Sequence, residues 1–190
     1  KNMPFAKHNF IYQSLAPNNN PKIFRPDKML LDRYPKNLDY GPKNGDITNI
    51  DNIKYYKNTY SKIHFDLITS DCGLDFSDDF EKQETGLYKI ILGALITTIG
   101  LSSKGSNYIY KLFSFNEQKT IEMLYITCKY YERVDIVRLL TDKTGSGEIY
   151  CVCLNFLGDS NIEELTKYLD NKTSFIIDRD EYNDKFMNIR

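Results

Sequence analysis

The chain has 190 residues, with 25 Lys and Arg against 26 Asp and Glu and a net charge of −1. That length supports one domain with a real core and leaves two domains cramped. The charge balance excludes a global basic field for non-specific nucleic-acid binding, though not a local basic cleft.

Residues 1–36 read as an irregular segment, because Pro4, Pro17, Pro21, Pro26 and Pro35, with Asn18-Asn19-Asn20, punctuate it too often for long elements. The chain begins at Lys1 rather than Met and shows no signal-peptide pattern, so a processed product or a piece of a longer protein is expected. Residues 37–170 read as one α/β domain and residues 171–190 as a polar tail. Within the domain, residues 41–48 form a turn-rich loop ending in Gly45-Asp46-Ile47-Thr48, and a short helix is expected over 49–61.

From His64 the pattern sharpens. Residues 64–70 read as a buried strand stopping at Asp71-Cys72-Gly73. Ser77-Asp78-Asp79 then caps a long helix to Leu101, with Glu81 as the reciprocal partner of Asp78. Its apolar stretch Ile90 to Leu101 is too short to span a bilayer and reads as a core helix, so no membrane association is expected. A strand is expected over 108–115 and an amphipathic helix over 116–132. Strands over 134–140 and 148–157 are joined too tightly for a crossover helix, so they pair antiparallel. Ser160 and Glu163 suggest a capping box for a last helix to Leu169. The 15 Tyr and the absence of Trp favour sheet edges and wet surfaces over a dense apolar core.

The order β-α-β-α-β-β is the second half of a doubly wound, Rossmann-like α/β sheet, mostly parallel with a final antiparallel hairpin. Right-handed crossovers place its two helices on one face. Such sheets bind ligands at the carboxyl ends of their parallel strands. Asp71 lies just past such an end, Lys111 lies within the neighbouring strand, and Glu148 opens a reversed strand at the same edge. A charged side chain inside an apolar strand is costly unless paired, and Lys111 shares a face with Ile109 and Phe113. Asp71 read alone is equally a turn residue, Glu148 a solvated strand end, and Lys111 an edge lysine that snorkels. Together they point to a site.

Other candidates are weaker. Cys72, Cys128, Cys151 and Cys153 lack paired CxxC spacing, so reduced buried thiols in a cytosolic protein are expected rather than a zinc site. Cys151 and Cys153 lie on one strand face. With only His8 and His64, neither a His-centred triad nor a metal cage is expected. Lys104 and Lys143, with Arg138, could supply phosphate contacts or remain solvated loop charge.

These stretches resemble the FtsJ-like S-adenosylmethionine-dependent RNA ribose 2′-O-methyltransferases, in particular the cap-type enzymes of large cytoplasmic DNA viruses. The matching residues are Asn44-Gly45-Asp46-Ile47-Thr48, Asp66 to Gly73, the helix start Lys82-Gln83-Glu84, the strand around Lys111, and Gly147-Glu148-Ile149-Tyr150. The family's site is a Lys-Asp-Lys-Glu tetrad, and the resemblance puts its last three members on Asp71, Lys111 and Glu148. It implies S-adenosyl-L-methionine as cofactor, with Asp46 and Ile47 near the adenine and Asp71 and Cys72 beside the methionine moiety. No metal is implied for the transfer itself. It also implies RNA as partner, capped mRNA first, with Lys143 at the position of a family Arg; Lys104 is added as a substrate contact from its loop charge alone. Capping-complex subunits are implied as neighbours, in the host cytoplasm or virion. Whether burial lowers the Lys111 pKa or Asp71 raises it is open from the sequence.

The family's glycine-rich cofactor loop and first lysine lie upstream of its Gly-Asp motif, whereas residues 1–36 contain no Gly. The chain is then expected to be the C-terminal part of a longer methyltransferase. The alternative is an inactive methyltransferase-like scaffold or RNA-binding subunit.

Overall fold

The computed structural model describes residues 10–16, 28–139 and 147–170. Its elements are β1 (Tyr12–Gln13), α1 (Lys28–Arg33), β2 (Leu38–Asp39), α2 (Ile50–Thr59), β3 (Leu67–Ser70), α3 (Gln83–Leu101), β4 (Asn107–Leu112), α4 (Gln118–Tyr130), β5 (Tyr131–Val137), β6 (Ile149–Phe156) and α5 (Glu163–Thr166). The N-terminal segment is therefore not wholly irregular. It holds α1, and β1 pairs in parallel with β2.

The main sheet has the order β3-β4-β6-β5. β3 and β4 pair in parallel, and β6 runs antiparallel to both β4 and β5. β3, β4 and β5 thus point one way, and β6 alone is reversed. The crossovers through α3 and α4 both move from the β3 side towards β5, which seats both helices on one face, where they touch.

The face beneath them is the core. Tyr108, Tyr110 and Leu112 of β4 alternate inward beside Cys151 and Cys153 of β6 and Val134 of β5. Against them lie Leu87, Leu92, Leu95, Ile96 and Ile99 of α3 and Met123 and Leu124 of α4. Each such leucine or isoleucine contributes roughly 1.5–3 kcal/mol of burial. α3 is long and apolar enough to cross a membrane by length and composition, but most of it is buried inside this core. All four cysteines are free thiols.

Several expectations are corrected. Tyrosine is not confined to edges, since Tyr108 and Tyr110 are fully buried and stacked with ring centroids 5.0 Å apart. Their hydroxyls make burial tolerable: Tyr108 bonds the Ser70 hydroxyl at 2.7 Å and Tyr110 the Thr127 hydroxyl at 3.1 Å. β3 is not a buried strand. Among the described residues nothing pairs with its outer edge, and Leu67 is 52% exposed. The aspartate cap before α3 is replaced by a 3-10 turn over Phe80–Lys82, and the Asp79 carboxylate pairs with Lys82 at 2.6 Å instead. β5 begins at Tyr131, earlier than expected, because that residue pairs with Phe156 and packs edge-on against its ring. The last helix is not capped by Ser160: its N-cap is Ile162, which has no side-chain cap bond, and Asn161 just before it accepts from the Glu163 N–H at 3.1 Å.

The loop before α2 is built on the fully buried Asn52, whose amide group bonds the backbone at Lys43 and Asp46. It presses on α3 where that helix has no side chain: a Cβ on Gly93 would lie 2.3 Å from the Ile47 carbonyl oxygen.

Candidate active site

Lys111 sits on the sheet face opposite the helices, one residue before the end of β4. Its cross-strand partner is Tyr150, and Glu148 lies two residues earlier on the same side of the returning chain. Asp71 follows the last residue of β3, the parallel neighbour of β4. Strand order and direction therefore converge the three groups. The Lys111 ammonium pairs with Asp71 Oδ1 and lies 3.5 Å from Glu148 Oε1, and it stands 5.1 Å above the Phe113 ring.

The groups differ in access. The Lys111 side chain is 12% exposed, Glu148 34% and Asp71 76%. Burial alone would depress the Lys111 ammonium. The hydrogen bond and charge of Asp71, with Glu148 behind them, outweigh it and raise the pKa above the ordinary 10.5. That resolves the question the sequence left open: Lys111 is an ammonium at neutral pH. Because the folded-state value is raised, the pairing is complete below 10.5 and is lost only as pH climbs through the higher value. Beside the trio, burial first and Asp71 second push the half-buried Cys72 thiol up to about 11. It is a neutral wall group, not a nucleophile.

Two residues here had no role assigned from the sequence. The Tyr150 hydroxyl donates to Glu148 Oε2 at 3.4 Å, steadying the carboxylate that faces Lys111. Glu84, in the first turn of α3, reaches across to the chain leaving β4. It accepts from the Ser114 hydroxyl at 2.5 Å and from the Asn116 and Glu117 N–H groups at 3.2 and 2.9 Å. The available signal was an acid in a helix's first turn, which a dipole argument alone explains. Partial burial would raise the Glu84 carboxyl, but these donors hold its pKa below the usual 4.5. Its contribution is therefore present above 4.5 and is lost as pH falls through the lower folded value. Glu84→Gln is expected to cost about 1–3 kcal/mol at pH 7. The gap from wild type should close as urea melts are taken from pH 6 towards pH 3.

The remaining candidates are placed as follows. Asp46 and Ile47 lie in the loop seated on Gly93 of α3. Asp46 Oδ1 accepts from the Thr48 N–H at 2.9 Å and hydroxyl at 2.7 Å, and Oδ2 has no partner among the described residues. Lys104 is not brought to the trio. It precedes the amino end of β4, roughly 13 Å of strand from Lys111 at about 3.3 Å per residue. Lys143 lies outside the described residues.

The FtsJ-like methyltransferase family profile matches residues 17–156, a span holding all three members of the trio. The chain belongs to the FtsJ-like methyltransferase family. This FtsJ-like methyltransferase is 27% identical over 114 residues to the Drosophila melanogaster "Cap-specific mRNA (nucleoside-2'-O-)-methyltransferase 2", covering 60% of this chain and 16% of that protein. It is 27% identical over 168 residues to an African swine fever virus protein described as a "Probable methyltransferase", covering 82% and 39%. With the Trypanosoma brucei brucei "Cap-specific mRNA (nucleoside-2'-O-)-methyltransferase 1" it shares 28% over 115 residues, covering 60% and 31%. The chain thus spans well under half the length of these relatives.

Proposed function

We propose that this FtsJ-like methyltransferase transfers a methyl group from S-adenosylmethionine to a ribose 2′-hydroxyl of RNA, with capped mRNA as the substrate. The observation that carries the reading is a half-buried ammonium, Lys111, bracketed by Asp71 and Glu148 at the carboxyl edge of the sheet. The cap-specific names of two relatives support the choice of RNA.

The donor set suits the cofactor. Asp46 offers a spare carboxylate oxygen that would take the adenosine end, beside Ile47, and Asp71 and Cys72, just past the end of β3, would hold the methionine end. When bound, the cofactor supplies an electrophilic sulfonium methyl. A ribose hydroxyl is a poor nucleophile, so the protein's task is orientation and proton removal. Lys111, being charged, donates to the hydroxyl oxygen and aims its remaining lone pair. Glu148, steadied by Tyr150, holds that ammonium from the substrate side. As the oxygen–methyl bond would form and the methyl carbon–sulfur bond break, leaving a neutral thioether, the former hydroxyl proton would become strongly acidic, and the largely exposed Asp71 carboxylate beside Lys111 would take it and pass it to water. The viral relatives and the free thiols support a place in the host cytoplasm or virion, beside other capping subunits.

The test is incubation of the full-length protein with methyl-labelled S-adenosylmethionine and a short capped RNA. Label is expected on a ribose, making the adjacent phosphodiester resistant to alkali. Label on a base, or none, rejects the reading. A second reading is a non-catalytic RNA-binding subunit. Capped-RNA binding without label would select it.

A further inference from the structure

Four phenylalanines surround the turn regions at the carboxyl edge of β3 and β4, and the fold treats them in two ways. Phe76 is seated against α3 at Gly86, where a Cβ would meet its ring at 2.4 Å, and Phe113 lies under the Lys111 ammonium; both are partly buried against the core. Phe80 and Phe115 are not seated. They are 70% and 44% exposed.

Phe115 is not left out by a slack backbone. Glu84 takes the Ser114 hydroxyl on one side of it and the Asn116 N–H on the other, so the chain is clamped to α3 immediately before and after the ring. Phe80 lies four residues before Glu84, in the turn that opens the same helix. Glu84 thus fixes the Phe115 segment to the end of α3 that the Phe80 turn opens. That end borders the site, because Phe115 follows Lys111 by only four residues, on the order of 13 Å of extended chain at most. Lys119, four residues after Phe115, is exposed, while Lys82, two residues after Phe80, is paired with Asp79.

We infer that Phe115, with Phe80, forms a stacking platform for an RNA nucleobase next to the target ribose, and that Glu84 is the positioning residue that keeps Phe115 turned outward. The inference rests on the RNA methyltransferase reading and names how its substrate is held. A ribose brought to Lys111 carries its own base and its neighbours' bases past this edge. Aromatic rings take any base through its π-face.

The test uses the full-length protein and short capped single-stranded RNAs carrying 2-aminopurine at each of the first four nucleotides in turn. Wild type should quench the probe at one position. Phe115→Ala should remove that quenching and weaken RNA binding about tenfold, the usual worth of one stacked base, with S-adenosylmethionine affinity unchanged. Phe115→Tyr should retain both, and Phe115→Leu, apolar but without a π-face, should lose both. Phe80→Ala should reduce the quenching at the same nucleotide. Glu84→Gln should lessen it while leaving S-adenosylmethionine affinity intact. If Phe115→Ala binds and quenches like wild type, the platform is rejected while the methyltransferase reading stands. If wild type neither binds nor methylates the RNAs, both fail.

Discussion

Lys111→Met is expected to lower methyl transfer to capped RNA by roughly 10²–10³-fold, the range associated with removing one preorganised donor to a reacting oxygen. Cofactor affinity should stay within about threefold, because the loss falls on the step that orients the ribose oxygen and not on binding (cf. the separation of transition-state from uniform binding). Methionine keeps an unbranched stem of similar length and removes the charge that stands over Phe113. The fold should survive. Asp71 is already 76% exposed, so its carboxylate hydrates readily once unpaired, and pairs with an exposed partner are worth at most about 1 kcal/mol. Lys111→Arg should not restore the rate, since a planar guanidinium cannot place one donor at the same point between Asp71 and Glu148. Single-turnover transfer, circular dichroism and cofactor titration on the same samples decide the matter. Transfer within threefold of wild type would remove Lys111 from the chemistry.

Gly93→Ala should lower stability by about 1–3 kcal/mol, the usual cost of overpacking. The expectation runs against propensity, because exchanging a mid-helix glycine for alanine ordinarily gains about 0.5–1 kcal/mol. The sign reverses because the new methyl would lie 2.3 Å from the Ile47 carbonyl oxygen and 3.5 Å from the Thr48 Cα. The obstacle is backbone held by the Asn52 bonds, which cannot rotate aside. If the loop shifts instead, Asp46 and Ile47 move with it, and S-adenosylmethionine affinity should fall about tenfold. Thermal melts paired with cofactor titration separate the two routes. A variant as stable as wild type, with unchanged affinity, would show that this loop does not rest on α3.

Much of the fold was legible because its periods are strong. The apolar run from Ile90 to Leu101 could only be a buried helix, and the short connection after β5 forced β6 to return antiparallel. The trio followed from strand direction and order. Its electrostatics did not, since burial and Asp71 act oppositely on Lys111 and only the bond length and exposure decide between them. Tyr108 and Tyr110 were misread because their tolerance for burial depends on Ser70 and Thr127, partners far away in sequence. Glu84 stood out only as part of the matched helix start Lys82-Gln83-Glu84 and without a role, because its hydrogen bonds span about 30 residues. Lys104 was grouped with the substrate contacts because loop charge carries no direction until the strand that follows it is placed.

Cys151 and Cys153 acquire a consequence from where they sit. Both thiols are fully buried against the helices, while Tyr150 and Val152 face the other side with Lys111. A slip of β6 by one residue would exchange these sets, driving the Tyr150 ring into the space of a thiol and turning Glu148 away from the ammonium. Two small, buried side chains therefore act as the alignment pins of the returning strand. The position of the carboxylate facing Lys111 depends on atoms that never approach the substrate.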